Sequence, residues 1–196
     1  MKHDRRQDIL NAAMELFAKN GFRGTTTRDL ATHAEVNEAI IFRHFTSKEE
    51  LYSAILEHKA GETRDARIEG LERLAKAGDD EMFFHTLGRT FLEKHQNDTM
   101  FLRLLLFSAL EGHQLSDMFV ASLTARNPIA NYIQKRIDEG VFREMDAQLA
   151  ARGFFGMFAS FVLWQEVFGL KKTQPYDREE VVRTFVSIFL KGITKD

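Results

Sequence analysis

The chain has 196 residues, 44% of them hydrophobic, with no cysteine and a formal net charge of −2. That is enough apolar residue for a packed core and too much for a disordered chain, and the lack of cysteine excludes disulfides, thiolate metal sites and cysteine nucleophiles, as suits a reducing cytoplasm. No apolar signal core follows the charged start, and the longest uncharged apolar stretch, Gly153 to Trp164, is 12 residues against the ~18 that suggest a membrane span, so a cytoplasmic protein without membrane attachment is expected.

Prolines are confined to Pro128 and Pro175, strand-like alternation is nearly absent, and apolar residues recur at helical spacing throughout. The expected fold is all-α, with about nine helices: a three-helix head over residues 1–50 and a helical bundle over 51–196. The first helix is predicted over about Asp4 to Asn20, opened by a capping box of Asp4 and Gln7, with Ile9, Ala13, Leu16 and Phe17 on one face and Gly21 as its C-terminal stop. Thr26 and Asp29 form a second box and open a short helix to His33. Asn37 caps another short helix to His44. Ser47 and Glu50 form a third box before a longer helix through Leu51 and Ile55. Such short helices must share one core, assigned to Ile9, Ala13, Phe17, Leu30, Val36, Ile41 and Phe45. Further helices are predicted at 61–77, 80–96, 98–111, 115–139, 147–170 and 177–193, the last capped by Asp177 and Glu180.

Residues 26–45 then read as two helices joined by the turn Ala34-Glu35-Val36. With Ile41 and Phe45 inward, a rotation of 100° per residue points Ala39 and Arg43 outward, flanked by Ile40 and Phe42. That outward face suits a major groove: Ala39 permits close approach, Arg43 can donate to a guanine edge or a phosphate, and Ile40 can meet a thymine methyl. Thr26, Thr27, His44 and Lys48 stand at helix termini, where hydroxyls, backbone N–H groups and positive charge hold phosphates. Charge leans the same way. Residues 1–48 hold eight basic and six acidic residues, whereas the remainder holds nineteen and twenty-three.

The string Gly21-Phe22-Arg23-Gly24-Thr25-Thr26-Thr27-Arg28-Asp29-Leu30-Ala31, followed by Val36-Asn37-Glu38-Ala39-Ile40-Ile41-Phe42-Arg43-His44-Phe45-Thr46-Ser47-Lys48-Glu49-Glu50-Leu51, resembles the link, second helix and recognition helix of the tetracycline-repressor (TetR) family of transcriptional regulators. The resemblance covers about the first 55 residues. It implies contacts to double-stranded DNA from Thr26, Thr27, Arg28, Asn37, Glu38, Ala39, Ile40, Phe42, Arg43, His44 and Lys48. Three positions depart from the family pattern. Glu35 replaces a usual turn glycine, which implies strain of ~1–2 kcal/mol if the residue is left-handed. Asn37-Glu38 replaces a common Ser-Lys pair, and Glu38 either faces solvent or accepts from a cytosine amino group. Phe42 replaces a frequent tyrosine.

The resemblance further implies a homodimer on a palindromic operator, released by a small-molecule effector that enters the C-terminal bundle. Phe154, Phe155, Met157, Phe158, Phe161, Val162, Leu163, Trp164 and Phe168 make 147–170 apolar on nearly every face, so that helix must be covered on both sides; one side can face its own bundle and the other a partner subunit, or the helix lies buried in a monomer core. Polar residues set among apolar ones, His85, Arg103, Glu111, His113 and Gln165, are candidate effector contacts, with Phe84, Phe107, Phe161 and Trp164 as candidate walls. Arg103 lies in an apolar run and needs an anionic partner, either Glu111 or a ligand carboxylate. The aromatic content favours an amphipathic or lipophilic effector. No cofactor, metal site or enzymatic activity is expected, since the seven histidines have no metal-ligand spacing and there is no phosphate loop or nucleophile elbow. A helical protein-interaction module is the competing class.

Overall fold

The computed structural model describes residues 4–61, 65–97, 99–112 and 127–195. Among these lie ten α-helices: α1 Arg5–Asn20, α2 Thr27–His33, α3 Glu38–His44, α4 Lys48–Gly61, α5 Asp65–Ala77, α6 Asp80–Asn97, α7 Met100–Leu110, α8 Pro128–Asp138, α9 Ala147–Val162 and α10 Arg178–Ile193. The all-α expectation holds, and helix starts follow the caps. The Thr26–Asp29 box is complete in both directions, and Asn37 accepts from the Ile40 N–H at 2.9 Å.

The other boxes are altered in an instructive way. Asp4 accepts from the Arg6 N–H at 3.1 Å while the Gln7 amide turns to Asn11, so α1 is capped from one side only. Ser47 accepts from the Glu50 N–H, but the Glu50 carboxylate passes over Ser47 to the N–H and hydroxyl of Thr46, both at 2.6 Å. Thr46 offers two donors to one oxygen, more than the single N–H at the cap. Those bonds hold the Glu50 carboxyl below the usual carboxylate range.

Two expected helices have other bounds among the described residues. Asn127 caps α8 through the Ile129 and Ala130 N–H groups, and Pro128 takes the first helical position, where its missing N–H is harmless. Of the helix predicted over 115–139, the part from Pro128 to Asp138 is described, and residues 113–126 lie outside the described set. The helix predicted over 147–170 is α-helical to Val162. It widens to a π-turn over Leu163–Val167, then breaks at the left-handed Gly169 before a 3₁₀ turn, Leu170–Lys172.

The helices pack as two units. α1–α4 and α7 form the first; α5, α6, α8, α9 and α10 form the second. This differs from a single cut near residue 50, because α7 packs with helices far from it in sequence. The first unit buries Ile9, Ala13, Phe17, Leu30, Ile41 and Phe45 with Leu51, Tyr52 and Ile55 of α4 and Leu104 of α7, and Val36 is partly buried against them. Tyr52 packs on Phe17 and Phe22 with ring centroids 5.2 and 5.5 Å away, and its hydroxyl donates to the Leu104 carbonyl at 2.7 Å. Burial pushes its phenol up to about 12.

In the second unit α9 packs on α6, α8 and α10, and α10 packs on α6. Phe84 is fully buried, 5.0 Å from the Phe154 and Phe189 rings. Gly88 allows α6 and α9 to meet: a Cβ there would lie 2.4 Å from the Phe158 ring. Arg136 of α8 binds Asp80 of α6 through two bonds, 2.9 and 2.8 Å, and Tyr132 donates to the same carboxylate. By length and composition the run Ala147–Val167, at mean hydropathy 1.2, could cross a membrane. Here Phe154, Phe158 and Val162 of that run are buried in a helical core.

Candidate nucleic-acid interface

The turn between α2 and α3 is a Schellman motif: the Val36 N–H reaches the Ala31 carbonyl at 2.9 Å and the Glu35 N–H reaches the Thr32 carbonyl at 3.3 Å. The residue between the cap Ala34 and Val36 must be left-handed, and Glu35 adopts φ 53°. Where the same motif ends α8, the position is Gly140, at φ 74°. Glu35 therefore carries the strain that its sequence position implied. Glu35→Gly is expected to raise the stability of the protein by about 0.5–1 kcal/mol, read as a higher urea midpoint at unchanged m. An unchanged midpoint would mean that the turn carries no strain.

The turn sets α3 against α2 with Ile41 and Phe45 buried. Glu38, Ala39, Phe42 and Arg43 are exposed, Phe42 at 49%. Ala39 and Arg43 point outward as the rotation requires. Ile40 does not flank them equally: it is half-buried against the core of the unit, so Glu38 and Phe42 border the outward face instead. Asn37 spends its side-chain oxygen on the cap. His44 is half-buried, and Arg28 on α2 is exposed.

Several expected phosphate contacts have internal partners. The Thr26 hydroxyl donates to Asp29 at 2.6 Å, which holds the Asp29 carboxyl low. The Thr27 hydroxyl donates to Glu38 at 2.8 Å. Lys48 donates to the carbonyls of Phe22 and Thr25, at 2.7 and 2.9 Å, and its ammonium sits 4.1 Å from the centre of the Phe22 ring. Lys48 thus fastens the link between α1 and α2, a use for its charge that competes with phosphate.

The same link is gripped by α7. The Glu111 carboxylate accepts from the Phe22 N–H at 3.1 Å and the Arg23 N–H at 3.3 Å, and Arg23 donates back to the Glu111 carbonyl. Arg103 donates through Nε to the Ala18 carbonyl, in the last turn of α1, at 3.1 Å. Its recorded partner is thus a helix-end carbonyl rather than Glu111, since carbonyl oxygens at a helix C-terminus carry the negative end of the dipole. Nothing in the sequence announces these bonds, because their partners lie 85 to 89 residues apart.

The candidate effector residues fall in both units. Arg103, Phe107 and Glu111 belong to the first, with α7. Phe84, His85, Phe161, Trp164 and Gln165 belong to the second, and His113 lies outside the described residues. Phe84 is enclosed by other rings. His85 pairs with Glu179. Phe161 is half-buried beside Tyr176 and Phe185. Trp164 is 55% exposed and Gln165 4%, the π-turn carrying one outward and the other inward.

Residues 9–55 match the family described as bacterial regulatory proteins, tetR family, and residues 85–192 match the AefR-like transcriptional repressor C-terminal domain. The chain belongs to the TetR family. Over 50 residues it is 46% identical to an HTH-type transcriptional repressor of Mycobacterium tuberculosis, a match spanning 26% of this chain and 27% of that one. It is 26% identical over 202 residues to the HTH-type transcriptional repressor KstR2 of Mycobacterium tuberculosis, covering 99% and 95% of the two chains. The crystal structure of AibR in complex with isovaleryl coenzyme A and operator DNA superposes with a TM-score of 0.72 at 17% identity, over 94% of this chain and 97% of that one. The first of these matches, over residues 9–55, spans most of α1, all of α2 and α3 and the first half of α4.

Proposed function

We propose that the protein is a transcriptional repressor that reads a palindromic operator as a homodimer in the cytoplasm and is released by a small-molecule effector. The observation that carries the reading is the presentation of α3: Ile41 and Phe45 lock it to the head while Ala39, Phe42 and Arg43 are left to solvent on one face. Residues 1–50 serve as the DNA-reading segment, and 51–196 carry effector binding and dimerisation. A second copy covers the apolar surface of α9, the π-turn that follows it and α10, where Leu149, Trp164, Phe168 and Ile188 are exposed at 68, 55, 64 and 58%. Exposed Gly153 and Gly156 on α9 let a partner helix approach closely. The effector is amphipathic or lipophilic, a reading supported by the isovaleryl coenzyme A bound to AibR. Its signal reaches α1 through α7, which grips the last turn of α1 with Arg103 and, through Glu111 just beyond its end, the α1–α2 link.

Titration of the protein against its own upstream DNA at several salt concentrations tests this. Affinity should fall steeply and linearly in log–log form as counterions are released, and Arg43→Ala should weaken binding about tenfold. Absence of binding at low salt, or equal affinity for wild type and Arg43→Ala, would remove α3 from the role.

A further inference from the structure

Glu38 is out of place on a surface meant for DNA. It stands on the exposed face of α3 beside Ala39, Phe42 and Arg43. Among the described residues no basic group forms an ion pair with it; its recorded partner is the Thr27 hydroxyl, which donates to Oε2 at 2.8 Å. A carboxylate facing a polyanion is repelled by the phosphates and lowers affinity for every sequence alike. It gains only where a base edge offers it a donor. In the major groove the donors are the amino groups of cytosine and adenine. Adenine presents its amino group next to an acceptor nitrogen, which suits an amide, whereas cytosine presents the amino group alone, which suits a carboxylate.

We infer that Glu38, held by Thr27, is a specificity determinant that accepts a hydrogen bond from a cytosine amino group in each operator half-site. This rests on the DNA-reading function proposed above. The Thr27 hydroxyl occupies Oε2 and restrains the side chain, so Oε1 is the oxygen presented to the base. Thymine in place of that cytosine would set a carbonyl oxygen against the carboxylate, two acceptors face to face. Glu38 thereby turns a uniform repulsion into discrimination.

Enrichment from a randomised duplex library, followed by titration of the enriched duplex and its single-base variants, tests the inference with wild type, Glu38→Ala and Thr27→Val. Wild type should enrich a cytosine at one symmetric position of both half-sites and bind its thymine variant about tenfold more weakly. Glu38→Ala should bring that ratio close to one while preferences elsewhere stay, and Thr27→Val should give an intermediate ratio. A Glu38→Ala protein that binds every duplex more tightly with unchanged base preference would overturn the inference and leave the DNA-reading function intact. A Thr27→Val ratio equal to wild type would overturn the part assigned to Thr27. A wild-type protein that enriches no sequence would overturn both readings together.

Discussion

Asp80→Ala should destabilise the protein by about 2–4 kcal/mol, a loss visible as a lower denaturant midpoint and melting temperature. Asp80 and Arg136 are 19% and 14% exposed at their side chains, so the pair is largely withdrawn from water. Two parallel bonds join them, and Tyr132 donates to the same carboxylate. Removing the carboxylate leaves a guanidinium held by Glu139 alone, at 2.6 Å, and a buried phenol without its acceptor. The cost arises from the stranded partners more than from the lost attraction, and a second substitution separates the two. Arg136→Met added to Asp80→Ala should recover a substantial part of the loss, because a well-packed apolar side chain needs no counter-charge. If the double variant is as unstable as the sum of the singles, stranded charge is not the cause.

Gly21→Ala should be comparably severe, at about 2–4 kcal/mol, and should also depress DNA affinity. Gly21 adopts φ 76° and ψ 172°, a region essentially confined to glycine. A Cβ there would lie 2.5 Å from Oε1 of Glu111 and 3.2 Å from the Phe107 ring. Backbone strain and collision add, and both strike the α1–α2 link that Lys48 and Glu111 hold. Thermal unfolding of Gly21→Ala and of Gly21→Ala with Glu111→Ala divides the effect. The second substitution removes the collision with the carboxylate but also the two bonds to Phe22 and Arg23, and it leaves the backbone strain untouched. Stability of Gly21→Ala within about 0.5 kcal/mol of wild type would show that the link can rearrange at little cost.

The two predictions concern residues of very different legibility. Gly21 was marked in the sequence as a helix stop, because a glycine after an amphipathic helix has few other uses. What it approaches was not, since Glu111 lies 90 positions further on. Asp80 and Arg136 carried no signal at all. An acidic residue in the first turn of one helix and a basic residue on another are ordinary solvent-facing features until packing brings them together. Glu35 is the opposite case: it stands where the resemblance implies a turn glycine, so strain is implied if the residue is left-handed, and its φ is 53°.

The candidate effector set shows where sequence reasoning stops. A guanidinium in an apolar run needs an acceptor, and Arg103 has one. Helical periodicity could not say that the acceptor is a carbonyl at the end of α1. The same holds for Trp164 and Gln165. Adjacent on a regular helix they would sit 100° apart, but which of them faces the core depends on where the π-turn begins. Lys48 offers a third instance, since a lysine near a helix start serves a phosphate or a nearby carbonyl equally well until the chain closes.

By itself, then, the sequence determined the local elements of this protein: the all-α class, the caps at Thr26, Asn37, Ser47 and Asp177, and the inward and outward faces of α3. These follow from periodicity and from backbone groups satisfied within a few residues, which chain order alone encodes. Tertiary structure decided what long separation conceals. It placed α7 with the head, turned Arg103 onto the end of α1 and Glu111 and Lys48 onto the α1–α2 link, drew Ile40 toward the core so that Glu38 borders the reading face, and split the long apolar helix at Leu163. Each of those outcomes depends on which surface a residue meets, and that is set only when distant helices share a core.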